Sequence, residues 1–259
     1  MRACHVLALA CLLLAMPANA VAQDADSDVP AFDRPGLGLG TDIVPRAAAA
    51  LELGLPSYAR DKDRDGIRSE QSSGDATVRT GLAPQLELQL SGSLWQQQRT
   101  RVPGQSSQRV HGHGDTLVAL KWSPSAPDAT DRWALLASGT LARGQAAFSD
   151  GRQYAVAASY ERDFSDAWSG ALFASHSRGD GERSTVWSPS LALALGPRLS
   201  TYVEAGITHT RGQPRQSVAG AGVTWAWTAR LQLDASFDVG LDADSPDLQA
   251  GVGLAAFFD

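Results

Sequence analysis

Cysteine is nearly missing: Cys4 and Cys11 are the only two, and both lie in the first residues. Beyond them neither a disulfide framework nor a thiolate metal site can be built. Long hydrophobic runs are lacking as well. Hydrophobic content is 43%, yet after the start of the chain no stretch approaches the ~18 apolar residues that a membrane helix requires. Grouped positive charge is also absent. The net charge is −6, and the basic residues, almost all Arg, scatter among acids. Neutralising phosphates takes clustered Lys and Arg, so nucleic acid is excluded as a partner.

What is present begins with an export leader. Arg2 supplies a positive start, Val6 to Ala15 is a short apolar run, and Pro17 breaks it. Small residues follow at Ala18-Asn19-Ala20 and Ala20-Val21-Ala22. That order reads as a secretory signal peptide over residues 1–22, cleaved after Ala22, with Ala20 the alternative. Cys11 behind Ala10 faintly resembles a lipobox, but cleavage there would leave an unusually short apolar core. Export without a second hydrophobic span leaves the periplasm, release, or a barrel in the outer membrane.

Residues 23–45 carry Asp24, Asp26 and Asp28, then Pro and Gly, without periodicity; they read as an irregular periplasmic lead-in. From residue 46 to 259 the chain alternates with period two. Leu86, Leu88, Leu90 and Leu94 interleave with Glu87, Gln89, Ser91 and Ser93; Leu231, Leu233, Ala235, Phe237 and Val239 interleave with Gln232, Asp234, Ser236 and Asp238. Successive strand side chains point to opposite faces, so such alternation means one apolar and one polar face. Segments fall at 46–58, 75–83, 86–95, 115–122, 133–142, 153–163, 168–176, 185–195, 199–210, 216–227, 230–240 and 248–258. Each is near the ~9–11 residues that cross hydrocarbon as a tilted strand. The expected fold is all-β: a closed antiparallel transmembrane β-barrel of about 12 strands, of outer-membrane type.

Connections and aromatics agree. Pro84-Gln85, Gly196-Pro197-Arg198 and Thr228-Ala229 are tight, while Ala59 to Gly74, Gln96 to Gly114, His176 to Ser184 and Leu241 to Asp247 are longer and polar. Outer-membrane barrels place short turns in the periplasm and long loops outside. Ser123 to Arg132 is a longish exception on the periplasmic side. Trp122, Trp133, Trp168, Trp225 and Trp227 would sit at the periplasmic interface, with Trp95, Trp187, Tyr58 and Tyr154 at the outer one. Leu248, Val252, Leu254, Ala256 and Phe258 form a final outward stripe. Its terminal aromatic resembles the signal read by the barrel-assembly machinery, although Asp259 follows Phe258.

A soluble sandwich would turn the apolar faces inward. The polar faces here carry Glu52, Arg79, Glu87, Lys121, Glu161, Glu204, Asp234 and Asp238, which can pair or stay hydrated around a narrow lumen. These eight are the lumen-facing candidates. Six acids against two bases would favour cations in an open bore; the same charges could equally form a lattice that fills a closed barrel.

The stretch Asp33-Arg34-Pro35-Gly36, then Gly40-Thr41-Asp42-Ile43-Val44-Pro45-Arg46 and Leu51-Glu52-Leu53-Gly54, resembles the opening of a known family. It is similar to outer-membrane transporters labelled for the MetA pathway of phenol degradation. The likeness continues at Leu86-Glu87-Leu88 with Gly92, and at Gly114-Asp115-Thr116 with Lys121-Trp122. Pro84-Gln85 stands where the family usually has a basic or aspartate-rich turn. The resemblance implies a Gram-negative outer-membrane barrel that acts as a channel or transporter for small, hydrophobic or aromatic, molecules.

Other motifs are weighed against plainer readings. Asp61, Asp63, Asp65 and Gly66 imitate half an EF-hand loop, but the twelfth position is Ser72, not Glu; a charged loop is preferred. His111-Gly112-His113-Gly114-Asp115 could grip a metal but is Gly-rich, and a loop is again preferred. No cofactor is expected. Some barrels of this size are phospholipases using a Ser-His pair oriented by Asn. The only Asn is Asn19, and no serine is singled out beside His176 or His209, so no enzyme is expected. The expected partners are outer-membrane lipid, lipopolysaccharide, the assembly machinery and a small solute. The alternative is a structural or surface-interaction barrel, its Arg60, Arg64, Arg99, Arg101 and Arg109 touching lipopolysaccharide phosphates or a partner.

Overall fold

Period-two alternation becomes thirteen antiparallel strands in a computed structural model that describes residues 29–126 and 128–259. The expected leader, residues 1–22, and the first part of the lead-in lie outside the described residues. The strands are β1 (Ala49–Lys62), β2 (Arg68–Ala83), β3 (Leu86–Arg101), β4 (Gln108–Gly112), β5 (Thr116–Trp122), β6 (Asp131–Ala142) and β7 (Gln153–Asp163). They continue with β8 (Trp168–Gly179), β9 (Glu182–Ala194), β10 (Leu199–Thr210), β11 (Gln216–Thr228), β12 (Leu231–Gly240) and β13 (Leu248–Phe258). Except for β4 and β5, each strand pairs with the next in the chain, and β13 returns to β1 to close the ring. Strand β4 pairs only with the outer half of β3, and β5 with its inner half. The two are one interrupted wall position, so the barrel is closed and twelve-stranded.

The apolar face is the outside. Val78, Leu90, Leu120, Leu135, Val203 and Val252 are each at least 38% exposed, a surface that hydrocarbon rather than water would match. All seven Trp side chains are exposed. Trp122 and Trp133 meet edge-on at 5.2 Å near the end where β1 starts and β13 stops, and Trp225 stacks on Trp227 at 5.8 Å there too. That end carries the short turns; the opposite end carries the hairpins.

The hairpin end differs from expectation. Ala59 to Gly74, Gln96 to Gly114 and His176 to Ser184 are largely strand rather than loop. Strands β1, β2 and β3 extend to Lys62, from Arg68 and to Arg101, and β8 and β9 are joined by Asp180-Gly181 alone. Both turn residues have positive φ, +34° and +94°, as a tight hairpin needs. Past the hydrocarbon both strand faces meet water, so pairing continues while the apolar period that reveals it stops.

Residues 30–45 form no strand or helix, and they do not lie outside the barrel. They rise from the short-turn end into the lumen and return to β1, held by side chains of the wall. At the mouth Val44, Ala48, Ala50 and Phe257 form an inner apolar cluster with Val29 and Phe32. Where the segment passes β2, a Cβ on Gly81 would overlap the carbonyl oxygens of Val44 and Pro45. Glycine is what allows that approach.

Candidate functional site

The lumen is built by inward positions of nearly every strand against residues 31–44. Arg79 of β2, fully buried, is its centre. Its Nε donates to Glu87 Oε1 (2.8 Å), Nη2 to Glu87 Oε2 (3.1 Å) and to the Asp42 carbonyl (3.0 Å). Nη1 donates to Glu52 Oε1 (2.8 Å) and the Ala31 carbonyl (3.2 Å). All five N–H groups of the guanidinium are therefore used. Lys121 of β5, equally buried, donates to Asp33 Oδ1 at 2.8 Å, and Gln89 reaches Asp33 Oδ2 at 2.9 Å.

The wall carboxylates chiefly accept backbone N–H groups. Glu52 takes those of Asp33 and Arg34, both at 3.0 Å; Glu87 takes that of Val44 (2.7 Å); Glu204 takes that of Leu37 (2.8 Å). Glu161 accepts the N–H of Thr41 (3.1 Å) and its hydroxyl (2.8 Å), with Arg132 3.6 Å away. Asp234 pairs with Arg34 Nη2 at 3.1 Å, and Gly253 on β13 leaves the space that guanidinium occupies. Irregular backbone has no strand neighbour to satisfy its N–H groups, and an unpaired one in a dry interior is costly. Two-oxygen carboxylates on the wall supply the acceptors.

Seven of the eight sequence-derived candidates thus meet on one segment: Glu52, Arg79, Glu87, Lys121, Glu161, Glu204 and Asp234. Asp238 is buried but stands apart, and its Oδ1 has no partner among the described residues. Sequence reading missed Asp33, Arg34 and Arg132 as members. With them the candidate set grows from six carboxylates and two cations to seven and four, and Asp75 of β2, held by the Ser73 and Ser93 hydroxyls, is a further inward acid. Sequence reading also missed two inward aromatics: Phe173, whose Cβ lies 3.1 Å from where a Cβ on Gly38 would stand, and Phe257. Phe258, the last of the outward stripe, is 54% exposed, and its neighbour Phe257 turns inward.

Space remains on one side of the segment. A cavity of about 460 Å³ lies between it and the inner faces of β7 to β11, lined by Ser159, Ser188, Ser190, Ala192, Phe173 and Tyr202 among others. A second, of about 250 Å³, lies against β1, β12 and β13 beside Ser57, Gln71 and Asp238. Both touch Arg34, Pro35 and Gly36.

The other motifs fall at the hairpin end, with Asp61 in β1 and His111 and Gly112 in β4 rather than in loops. Asp63 caps its own hairpin turn, accepting the Ile67 N–H at 2.8 Å. Asp115 accepts the N–H groups of Gly144 (2.7 Å) and Asp150 (3.0 Å), tying the β6–β7 hairpin to β5. His176 Nδ1 lies 2.9 Å from Thr185 Oγ1, and among the described residues no histidine is hydrogen-bonded to a serine.

A family model described as "Putative MetA-pathway of phenol degradation" matches residues 32–258, a span that includes the lumen segment. No curated protein matches the sequence. The fold is similar to the COG4313 outer membrane channel from Pseudomonas putida F1: TM-score 0.67, 13% identity, covering 87% of this chain and 99% of that one. The transport unit of the autotransporter AIDA-I from Escherichia coli gives TM-score 0.56 at 10% identity, over 83% and 91% of the two chains. The NanC porin gives 0.52 at 7%, over 81% and 99%. At these identities the likeness concerns the barrel alone.

Proposed function

The chain belongs to the MetA-pathway phenol-degradation family, and from that premise we propose that it is an outer-membrane channel for small molecules of low charge, aromatic ones included. The observation that carries this is the 460 Å³ cavity beside the lumen segment. Its size is in the range that holds small ligands. Its strand side is mostly serine, alanine and glycine, with Phe173 and Tyr202 as the ring-bearing contacts. The wall carboxylates are engaged with residues 33–44, so in this reading they hold the segment in place and do not serve as an ion filter.

The test uses the purified protein in planar bilayers and in liposomes loaded with phenyl glucoside, a neutral aromatic solute that crosses lipid slowly. Solute efflux should exceed that of empty vesicles while ionic conductance stays small, and Phe173→Trp should slow the efflux. Deleting residues 31–44 should convert the protein to a steadily conducting pore. Efflux equal to empty vesicles, together with silence of the deletion, would leave a structural barrel and end the channel reading.

A further inference from the structure

At the hairpin end three arginines form a row on the lipid-facing side of the wall. Tyr154 of β7 stands opposite Arg178 of β8, and Arg178 opposite Arg183 of β9. The Arg211 N–H donates to the Arg183 carbonyl at 2.9 Å, which continues the same row to the residue just past β10. Opposed residues of an antiparallel pair share a face, and Tyr154, 66% exposed, marks this face as the outer one. Like charges directly opposite repel, and an anion seated among three such guanidinium groups relieves that repulsion. Among the described residues no carboxylate pairs with them. Asp180, at the adjoining turn, is approached by Arg143 at 3.5 Å and by the Arg152 N–H at 3.3 Å. Together with Arg152, Tyr154 and the turn residue Asp180, the arginines line a depression of about 650 Å³, in which four cations face one carboxylate.

The height of the row selects the anion. The next row toward the membrane is Val156, His176, Thr185 and His209, and the one below it contains Ala174, Trp187 and Ile207. Trp187 and Ile207 are exposed apolar groups, as the edge of a hydrocarbon band requires. Arg183 is four residues beyond Trp187, which for a tilted strand is about 10 Å further along the membrane normal. That is the layer of lipid headgroups. We propose that the outer rim of β8–β10 is a binding site for the phosphate groups of lipopolysaccharide, with Arg178, Arg183 and Arg211 as its ligands. Guanidinium groups bind phosphate oxygens through paired charge-assisted hydrogen bonds. The proposal shares with the channel reading only the premise of an outer-membrane position.

The β1–β4 rim provides the contrast. Arg60, Arg99 and Arg109 occupy a similar row, but Glu70 stands between the first two and approaches Arg99 at 4.0 Å, while Arg64 is paired with Asp244 at 2.7 Å. Of the five arginines singled out from sequence, Arg64 and Arg99 thus have a carboxylate within 4.0 Å and Arg60 stands opposite one, whereas the β8–β10 row has no acid within its run of opposed residues.

The full-length protein, purified in nonionic detergent and stripped of lipid, would be titrated with lipid A carrying its phosphates, with dephosphorylated lipid A, with phosphatidylglycerol and with inorganic phosphate. Phosphorylated lipid A should bind best, and R178Q/R183Q/R211Q should weaken it by at least about tenfold. R60Q/R99Q should change it less than about twofold. Equal binding of dephosphorylated lipid A or of phosphatidylglycerol, or an equal loss in R60Q/R99Q, would overturn the site. Competition by inorganic phosphate at the same concentration would assign the arginines to a free anion and refute the lipid. Heat-shifted gel migration checks that each variant is folded. Should the triple variant not fold, Arg183→Gln alone must still weaken lipid A binding about threefold. These outcomes are independent of solute efflux, so this site and the channel can fail separately.

Discussion

The two halves of the lumen are built from the same alternating strands and have opposite character. Toward the short turns, Arg79, Glu52, Glu87 and Glu161 are saturated with partners, and backbone N–H groups of Asp33, Arg34, Leu37, Thr41 and Val44 end on wall carboxylates. Toward the hairpins, Asp238 has an unpartnered oxygen and, among the described residues, no ion pair, and Ser57 and Gln71 border open space. In the other half, by contrast, the unpartnered Arg34 Nε, Arg132 Nε and Asp234 Oδ2 belong to side chains already ion-paired. The difference is the irregular segment. Inward acids of a small barrel can be needed by backbone rather than by passing ions, and which role they play depends on what enters the bore.

The sharpest way to break the comparison is Arg79→Leu. It leaves Glu52, Glu87 and Asp33 without their shared cation in a dry site. Removing one partner of a buried pair costs roughly 3–5 kcal/mol. We expect the temperature at which the barrel loses its heat-resistant gel mobility to fall steeply, and conductance to appear as residues 31–44 come free. Unchanged mobility would mean that the network is hydrated and the contrast between halves unreal.

Two glycines sharpen the point with a smaller effect. Gly81→Val sets side chain against the backbone of Val44 and Pro45, which cannot yield without moving the segment. The overlap should cost about 1–3 kcal/mol. At Gly253 an added methyl meets only the Arg34 guanidinium, the far end of a flexible side chain, so Gly253→Ala should cost less. Melting of the two variants in detergent gives the order; a reversed order would show that the segment adjusts more freely than its hydrogen bonds imply.

Smaller still is the hairpin half. Asp238→Asn removes a buried charge that has no counter-ion, and stability should change by less than about 1 kcal/mol, if anything upward. Glu87→Gln, the same chemistry in the saturated half, should destabilise by about 1–3 kcal/mol through its bonds to Arg79 and Val44. Equal effects in the two variants would erase the distinction.

These residues also show where sequence is readable. Leu86 to Ser93 declares its two faces because lipid and lumen demand different chemistry at alternate positions. Strands β7, β10 and β13 begin and end where periodicity predicts. The outer part of β3 does not declare itself, since Gln96, Gln97 and Gln98 meet water on both sides. Glu52, Glu87 and Glu204 are legible as inward, yet an acceptor does not reveal its donor. The donors here are backbone groups of a stretch with no period at all, so the filled lumen could not be read from pattern. Asp33-Arg34-Pro35 was visible only through its likeness to a family, and the structure supplies its reason: Asp33 and Arg34 each reach the wall.

The smallest effect tests whether the hairpin end holds its own order without a plug. Asp115 lies outside the spanning strands. Partial burial acts to raise its pKa, but hydrogen bonds from Gly144 and Asp150 outweigh this and hold it below the ordinary carboxylate value. A group whose folded pKa is depressed contributes stability above its unfolded pKa, and loses it as pH falls through the folded one. The β6–β7 hairpin should therefore keep its amide protection at neutral pH and lose it once acidification passes below the ordinary carboxylate range near 3.8. Hydrogen exchange at Gly144 and Asp150 reads this directly, normalised to the intrinsic rate at each pH. Asp115→Asn should show weakened protection already at neutral pH while the lumen segment keeps its own. Loss at both ends together would mean that the two halves are not independent.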